Sequence, residues 1–331
     1  MIDSIYIENA VAGHPATQRI LAAIPRAHRI PCDRYAEVFN RRAQNFRLQK
    51  LRPALILAEK KGNLALPAPP GYGIGGTHGF YFSHMLNCIY DCRYCFLQGM
   101  FRSANYVLFV NYEDFADAIA ATAGRLPDVA RPVFFSGYDC DSFALEAITG
   151  FVAHFLPFFQ CRPALTLELR TKSLATARLL QYPPIDNVVV AFSLTPDPVS
   201  RALEHKVPAL SRRLELIAKL AAAGWPIGLR FDPLIDHAEF ERNYLALFDS
   251  VFQLVPAQAI HSVTYGSLRF PESMFRTVAR LYPEEPLFAS DFANDSGMIA
   301  YPPHREQYLI DFCRHHLAGR VPPARLFHQS F

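Results

Sequence analysis

Three cysteines within eight residues are the part of this sequence with the clearest chemical meaning. Cys88, Cys92 and Cys95 are separated by three and then two residues, and they follow an apolar, aromatic run. Three thiolates can hold three corners of a [4Fe–4S] cluster and leave the fourth iron without a protein ligand. A substrate or cofactor can bind at such an iron, so the spacing predicts a reactive metal centre.

Two simpler interpretations compete with the cluster. A structural zinc ion usually takes four ligands in two pairs, and the sequence has no second C-x2-C pair. A fourth zinc ligand could come from His84 or from a distant residue. Free cysteines are also common in protein cores, but three so close together beside aromatic residues are better explained by metal binding.

Composition narrows the class of protein. The chain has 331 residues, of which 51% are hydrophobic and 19% charged, with a net charge of +3 and seven cysteines. It can therefore bury the core of one α/β barrel or of two smaller domains. An odd number of cysteines without disulfide-like spacing favours a reducing compartment. With no signal peptide and no run of roughly 18 apolar residues, we expect a cytoplasmic protein without a membrane partner.

The elements that must position the cysteines lie mostly after residue 78. We divide the chain into an N-terminal region, 1–78, which ends in a Pro- and Gly-rich stretch, and a core, 79–331, with a C-terminal extension. The predicted strands of the core lie at 79–86, 133–136, 165–170, 188–194, 227–231 and 262–268. Helix-like segments separate most of them, which predicts a parallel sheet with right-handed crossovers. Six such units favour an α/β fold of the partial (β/α)6 TIM type rather than a closed eight-stranded barrel.

Chemistry in parallel barrels lies at the carboxyl ends of the strands. Polar, thiol and phenol side chains fall at these ends in this sequence, namely Tyr138, Cys140, Lys172, Ser193, Arg230 and Arg269. We expect them to share one cavity mouth with the three cysteines. A structural ion pair is the alternative role for Arg230 and for Arg269.

Several short motifs, in order along the chain, resemble the spore photoproduct lyase family of radical S-adenosylmethionine (radical SAM) enzymes. The C-x3-C-x2-C spacing itself resembles the radical SAM class. R-Y-C-F-L-Q at 93–98 resembles the family's E-Y-C-Y-L-Q, and R-T-K at 170–172 repeats its R-T-K. I-Y-I-E at 5–8, Y-V-L-F-V-N at 106–111 and A-G-W-P-I-G at 223–228 resemble further family segments.

The resemblance implies a radical SAM core in which Cys88, Cys92 and Cys95 bind a [4Fe–4S] cluster. SAM would chelate its open iron, and reductive cleavage would yield a 5′-deoxyadenosyl radical. We expect Lys172, Ser193, Arg230 and Cys140 near SAM. The family repairs a thymine dimer in DNA, which must be extruded from the duplex, so damaged DNA and a reductant such as flavodoxin or ferredoxin are the expected partners.

Two departures from the family bear on the reaction. The family's second strand ends in C-T-S-D, whose cysteine donates a hydrogen atom, whereas this chain has Tyr138, Asp139 and Cys140 before the aspartate. Phe96 replaces the tyrosine that follows the last cluster cysteine, while Tyr94 is retained as a candidate radical relay. Three explanations are open. Cys140 could donate the hydrogen atom, Tyr138 could donate it, or the same radical chemistry could serve another substrate. We favour donation by Tyr138 or another substrate over donation by Cys140.

The sequence therefore predicts a radical SAM lyase that breaks a C–C bond in a DNA photoproduct or another thymine lesion. A radical SAM enzyme with a non-DNA substrate is the first alternative. A metal-stabilised nucleic-acid-binding protein without enzymatic activity is the second.

Overall fold

The computed structural model describes residues 2–330. In chain order the strands are β1 Ser4–Glu8, β2 His28–Cys32, β3 Leu55–Ala58, β4 Leu66–Pro67, β5 His78–Tyr81, β6 Met85–Leu86, β7 Asp91–Cys92, β8 Tyr106–Phe109, β9 Pro132–Phe135, β10 Thr166–Thr171, β11 Val188–Ser193, β12 Glu204–His205, β13 Ile227–Leu234, β14 Ile260–Ser267, β15 Arg269–Pro271, β16 Ala293–Asp295, β17 Met298–Ala300 and β18 Leu326–His328. The α-helices are α1 Pro15–Ala23, α2 Tyr35–Phe39, α3 Phe46–Leu51, α4 Leu97–Met100, α5 Tyr112–Ala123, α6 Glu146–Thr149, α7 Phe151–Gln160, α8 Asp197–Leu203, α9 Leu210–Ala222, α10 Phe240–Leu254, α11 Glu272–Leu281 and α12 Pro303–Ala318.

The central sheet confirms the predicted partial barrel. Its strand order is β18-β14-β13-β11-β10-β9-β5-β4. The neighbours from β5 to β18 are all parallel, and only β4 at one edge is antiparallel. The six predicted strands are thus consecutive neighbours in chain order, and the curled sheet stays open between β4 and β18. All of their carboxyl ends meet at one edge, where parallel barrels place their sites.

The first predicted strand, 79–86, is wrong as a single element. Strand β5 ends at Tyr81, and β6 pairs antiparallel with β8 in a different sheet. Between them, Phe82 and His84 are buried while the chain turns from one sheet to the other. Both halves of the segment are apolar or buried, so its hydrophobic pattern carries no mark of this break.

A second sheet joins the N-terminal strands to the segments that flank the cysteines. Its order is β2-β1-β3-β8-β6, with β8 and β6 contributed by residues after position 78. Strand β6 ends two residues before Cys88, and β8 begins eleven residues after Cys95. One continuous hydrophobic core packs against both sheets, from Ile5 in β1 to Leu167 in β10. The sheet therefore fixes the position of both ends of the cysteine segment.

The Pro- and Gly-rich stretch before β5 packs against the barrel. Tyr72 and Ile74 are buried against β9 and β11 side chains. The backbone of Gly73 exchanges hydrogen bonds with the Gln329 side chain, at 2.8 Å from Nε2 to the glycine carbonyl oxygen and 3.3 Å from the glycine N–H nitrogen to Oε1. Gly75 has a φ of +88°, and a side chain there would lie 3.2 Å from the Phe327 ring. This segment thus connects the β5 edge of the open sheet to the β18 edge.

Helices cover the outside of the barrel with apolar faces. One face of α9, formed by Leu210, Leu214, Ile217 and Ala221, is buried, and the helix ends just before Gly224, whose φ is +92°. Within residues 2–330, no helix is long and apolar enough to cross a membrane.

Candidate active site

One cavity at the carboxyl ends of the barrel strands collects most of the predicted site residues. Its lining includes Cys88, Cys92, Tyr94, Cys95, Tyr138, Cys140, Lys172, Ser193 and Arg269. The cysteines and Tyr94 come from the segment between β6 and α4, whereas the other residues lie at or just after the ends of β9, β10, β11 and β14. The structure therefore confirms that the cysteines and most of the strand-end residues face one space.

Protein contacts hold the cysteine segment in place. Cys88 Sγ accepts a hydrogen bond from the backbone N–H of Tyr90 at 3.4 Å. Cys92 lies in β7, which pairs antiparallel with β12 in register with Glu204. The N–H of Cys95 bonds the carbonyl of Cys92 at 3.1 Å, forming a tight turn. All three cysteines have free thiols. The contacts with the neighbouring backbone and with β12 hold their segment in place.

The donor set fits an iron–sulfur cluster better than isolated thiols. Burial raises the pKa of Cys88 to about 12, and it also raises the pKa values of Cys92 and Cys95. Thiolates in such a place need positive charge beside them. Among residues 2–330, no group of three or more Cys, His, Asp or Glu side chains surrounds a single point closely enough to bind one metal ion. A [4Fe–4S] cluster makes no such demand, because each thiolate binds a different iron.

Lys50 provides one of these positive charges, and no motif in the sequence marks it as part of the site. The basic sequence around it, 41–52, is typical of an exposed helix face, yet the Lys50 side chain is buried. Its Nζ donates a hydrogen bond to the carbonyl oxygen of Cys88 at 3.0 Å. Burial lowers the pKa of Lys50, and the nearby Cys88, Asp91 and Cys95 partly oppose this shift.

A charged wall, formed by Tyr94, Lys172, Glu204 and Arg213, supports the cysteines from one side. Glu204 accepts hydrogen bonds from Arg213 Nη2 at 2.8 Å, from Ser200 Oγ at 2.6 Å and from the Tyr94 hydroxyl. Lys172 Nζ lies 3.9 Å from Glu204 Oε1.

Burial opposes the ionised form of Glu204, but Lys172 and Arg213 outweigh it and lower the pKa of Glu204. In the same way, Cys92 and Glu204 overcome burial and raise the pKa of Lys172. The charged wall therefore holds a permanent cation beside the cavity. Arg213 also donates to the carbonyl oxygen of Ser193 at 3.0 Å, which fixes the end of β11.

An aromatic wall, formed by Tyr72, Tyr81, Phe96 and Tyr138, lies near the end of β9. The Tyr138 ring centroid is 4.5 Å from that of Tyr81 and 5.9 Å from those of Tyr72 and Phe96. None of the four carries a charge. Tyr138 thus stands at the centre of a phenol-rich group, and it lines the cavity together with Tyr72 and Phe96.

Cys140 lines the cavity, but its side chain is directed to buried partners. Its Sγ lies 3.7 Å from the Ser136 carbonyl oxygen and 3.9 Å from His84 Nδ1. His84, the zinc ligand considered above, stacks on Phe151 with ring centroids 3.7 Å apart. Burial lowers the pKa of His84 to about 3, so the ring is neutral. His84 is thus a partner of Cys140 in the core.

Two acids flank Cys140 and point in different directions. Asp141 accepts hydrogen bonds from the Lys172 N–H at 2.7 Å, from Thr171 Oγ1 at 2.7 Å and from the Phe143 N–H at 2.9 Å. This carboxylate ties the loop after β9 to the end of β10. Asp139 points away to Ser83, whose hydroxyl donates to one carboxylate oxygen, while the other oxygen is buried with no hydrogen-bond partner among residues 2–330.

Arg230 does not reach the cavity, which corrects the predicted cofactor contact. It is fully buried, pairs with Glu168 at 2.9 Å, and donates to the Ser262 carbonyl oxygen at 3.0 Å. Arg230 and Asp232 are two residues apart on β13, so their side chains share a face. Asp232 is nearer the carboxyl end and lines the cavity, whereas Arg230 lies deeper in the barrel. Its contacts are those of a structural ion pair. Arg269 lines the cavity and pairs with Glu306 at 2.6 Å.

A partial parallel barrel with a three-cysteine segment at its mouth defines the radical SAM class of fold. The family model described as spore photoproduct lyase matches residues 82–294. This chain belongs to the spore photoproduct lyase family.

Curated relatives match a shorter part of the chain. The spore photoproduct lyase of Bacillus subtilis is 26% identical over 204 residues, which cover 60% of this chain and 59% of that protein. A Geobacillus spore photoproduct lyase is 24% identical over 204 residues, with the same coverage. The match thus spans less than two thirds of the length of these relatives.

Solved structures agree over the whole fold. A spore photoproduct lyase mutant with bound AdoMet and dinucleoside spore photoproduct has a TM-score of 0.83 at 18% identity, covering 100% of this chain and 99% of that one. A spore photoproduct lyase complexed with dinucleoside spore photoproduct has a TM-score of 0.81 at 18% identity, with the same coverage. At this identity the likeness establishes the fold.

Proposed function

We propose that this protein is a radical SAM lyase that breaks a C–C bond in a thymine photoproduct of DNA. The observation that carries the proposal is the joint placement of Cys88, Cys92, Cys95 and Lys172 around one cavity of a spore photoproduct lyase fold. Support for the substrate comes from the similar structures, one with bound AdoMet and dinucleoside spore photoproduct and one complexed with dinucleoside spore photoproduct.

The three cysteines would hold a [4Fe–4S] cluster with one iron left open for the amine and carboxylate of SAM. When bound, the cluster supplies the electron that cleaves SAM to a 5′-deoxyadenosyl radical. Lys172 would bind the SAM carboxylate, because the charged wall keeps its ammonium group ionised beside the cysteines. Ser193 would donate or accept a hydrogen bond at the end of β11, where Arg213 fixes its backbone.

Tyr138 is the proposed hydrogen-atom donor to the product radical. Its O–H bond breaks as a C–H bond forms on the thymine, which leaves a phenoxyl radical on Tyr138. Tyr81 and Tyr72 lie close enough to share that radical. A hydrogen atom must then return to the phenol, either from a thiol reductant, which becomes a thiyl radical, or from 5′-deoxyadenosine, which becomes the 5′-deoxyadenosyl radical again.

Two other candidates have weaker positions for this role. Cys140 is the alternative donor, but its sulfur faces Ser136 and His84. Tyr94 remains a candidate relay on the opposite side, where its hydroxyl is bonded to Glu204.

The seven free cysteines agree with a reducing, cytoplasmic compartment, which we include in the proposal. A flavodoxin or ferredoxin is the proposed electron donor. The substrate proposal requires the protein to prefer duplex DNA that contains the lesion.

The test is an anaerobic assay of the iron- and sulfide-reconstituted protein with dithionite, SAM and an oligonucleotide that contains spore photoproduct. We expect 5′-deoxyadenosine and restored thymines, both measured by chromatography. Cys88→Ala should abolish both products and bound iron, whereas Cys161→Ala, at an exposed thiol outside the cavity, should change neither. Formation of 5′-deoxyadenosine without repair, with equal affinity for damaged and undamaged duplex, would point to a substrate other than a DNA lesion.

A further inference from the structure

A short helix beside the cysteine segment has an unusual outer face. On α3, Leu48 is 63% exposed and Leu51 is 73% exposed. Exposed arginines at positions 41, 42, 47 and 52 flank them in the chain. We call the outer side of residues 41–52 the Arg–Leu surface. An apolar centre with a basic rim is the usual form of a protein interaction surface.

The inner face of the same helix contacts the cysteine segment. Lys50 Nζ donates to the Cys88 carbonyl oxygen, as described above. Gln49 Oε1 accepts hydrogen bonds from Ser103 Oγ at 3.3 Å and from the Ala104 N–H at 3.0 Å. Since a helix with its side chains is about 10 Å across, the Arg–Leu surface lies about one helix diameter from a proposed cluster ligand.

The Arg–Leu surface is held rigidly. Asn45 caps α3 by accepting from the Leu48 N–H at 3.0 Å, and Phe46 is buried. Gln44 donates to the Arg41 carbonyl oxygen at 2.9 Å and accepts from Gln49 Nε2 at 2.6 Å. These hydrogen bonds hold the loop that carries Arg41 and Arg42 against the helix that carries the two leucines.

The rim keeps a surplus of positive charge. Arg47 pairs with Glu284 at 2.6 Å, and Arg52 lies 3.5 Å from Asp3. Among the ion pairs of residues 2–330, neither Arg41 nor Arg42 takes part in one. Two exposed guanidinium groups are thus available to an acidic partner.

We propose that the Arg–Leu surface docks an acidic one-electron carrier protein, which reduces the cluster across α3. This inference rests on the proposed function. One electron passes from the carrier's reduced cofactor to the cluster, so the carrier is oxidised, the cluster is reduced, and no bond breaks. Electron-transfer contacts are small and short-lived, and charge complementarity raises their association rates. Two exposed leucines flanked by exposed arginines suit a small electron-transfer interface with an acidic partner.

The test measures how fast flavodoxin hydroquinone bleaches the cluster absorbance of the reconstituted protein in an anaerobic stopped-flow instrument. In the double variants Arg41→Glu/Arg42→Glu and Leu48→Ser/Leu51→Ser, we expect the second-order rate constant to fall about tenfold. Raising the salt concentration should slow the unchanged protein more than the charge variant. Arg125→Glu and Val129→Ser, at exposed positions after α5, are the matched controls and should keep the original rate.

Reduction by dithionite separates failure of this inference from failure of the proposed function. All variants should be reduced by dithionite at the same rate, because that reagent needs no docking surface. Unchanged rates with flavodoxin in both double variants would overturn the docking proposal and leave the proposed function intact. Loss of duplex DNA binding instead would assign the surface to the nucleic acid. Absence of any reducible cluster would overturn both proposals.

Discussion

The two walls of the cavity are built on different physical principles. The charged wall is a buried network in which one carboxylate, Glu204, has several donors around it. The aromatic wall is a group of uncharged rings around Tyr138, held by packing. Buried charges fix geometry because every partner is needed, whereas phenols can gain and lose a hydrogen atom without a change of charge. We infer that the first wall positions the cofactor and the second wall handles the radical.

The largest effect should come from the centre of the charged wall. Glu204→Gln leaves Arg213 buried without its counter-ion, and we expect the free energy of unfolding to fall by about 3 kcal/mol. Urea unfolding of the metal-free protein, followed by circular dichroism, measures it. The exposed pair of Asp197 and Arg201 provides the control, because Asp197→Asn should change stability by less than about 0.5 kcal/mol. Equal losses in the two variants would mean that the network is not what stabilises this wall.

On the aromatic wall, the same kind of small change should alter chemistry and leave stability intact. Tyr138→Phe removes only the phenol oxygen, so SAM cleavage should continue while the ratio of restored thymine to 5′-deoxyadenosine falls about a hundredfold. Chromatography of both products measures the ratio. Tyr308→Phe, on the surface, should leave it unchanged. If Cys140→Ala loses repair and Tyr138→Phe keeps it, the donor is the thiol and the assignment of roles to the walls fails.

A smaller effect is expected for the cation of the charged wall. Lys172→Met keeps the length of the side chain but removes the ammonium group proposed to bind the SAM carboxylate. We expect about tenfold weaker SAM binding, as for the loss of one charge-assisted hydrogen bond. Equilibrium dialysis with the reconstituted protein measures this affinity, and Lys219→Met at an exposed position of α9 serves as the reference. Unchanged affinity would remove Lys172 from the cofactor site.

The smallest effect concerns Asp139, the acid next to Tyr138 of the aromatic wall. Burial raises its pKa, and Ser83 and Lys60 oppose that shift only in part. The folded protein therefore binds more protons than the unfolded chain between the two pKa values, and stability falls as the pH rises through that window. Asp139→Asn should remove this loss, so its stability relative to the unchanged protein should be greater at pH 8 than at pH 4.

Urea unfolding at the two pH values checks this prediction, with Asp128→Asn at an exposed position as the control. A variant that loses stability at pH 8 would instead show that Asp139 is held as a carboxylate by Lys60.

What the sequence predicts well is what depends on neighbouring residues. The strands β9, β10, β11, β13 and β14 each depend on one short segment, and the structure confirms them. The cysteine spacing is also a local signal, and its metal-binding role stays a prediction. The side chains that complete the site come from pairs far apart in the chain. Tyr94 and Glu204 are 110 residues apart, and Lys50 and Cys88 are 38 apart.

Other features were hidden by local ambiguity. Arg213 lies on a helix whose remaining pattern is an ordinary amphipathic one, and nothing marks it as buried. Arg230 and Asp232 share one face of β13, and the sequence pattern does not show that only Asp232, which is nearer the carboxyl end of the strand, reaches the cavity. The sequence also hides the break after Tyr81, because both halves of the segment 79–86 are apolar.

The pairing of β7 with β12 has a practical consequence for handling the protein. The N–H of Arg93 bonds the Leu203 carbonyl oxygen at 2.8 Å, and Cys92 lies in register with Glu204, so backbone pairing holds the segment that carries the proposed cluster ligands. Iron and sulfide should therefore enter a chain that is already folded, unlike small zinc domains that fold only with their metal. Stripping with a chelator and refilling should be a reversible cycle, without a passage through the denatured state.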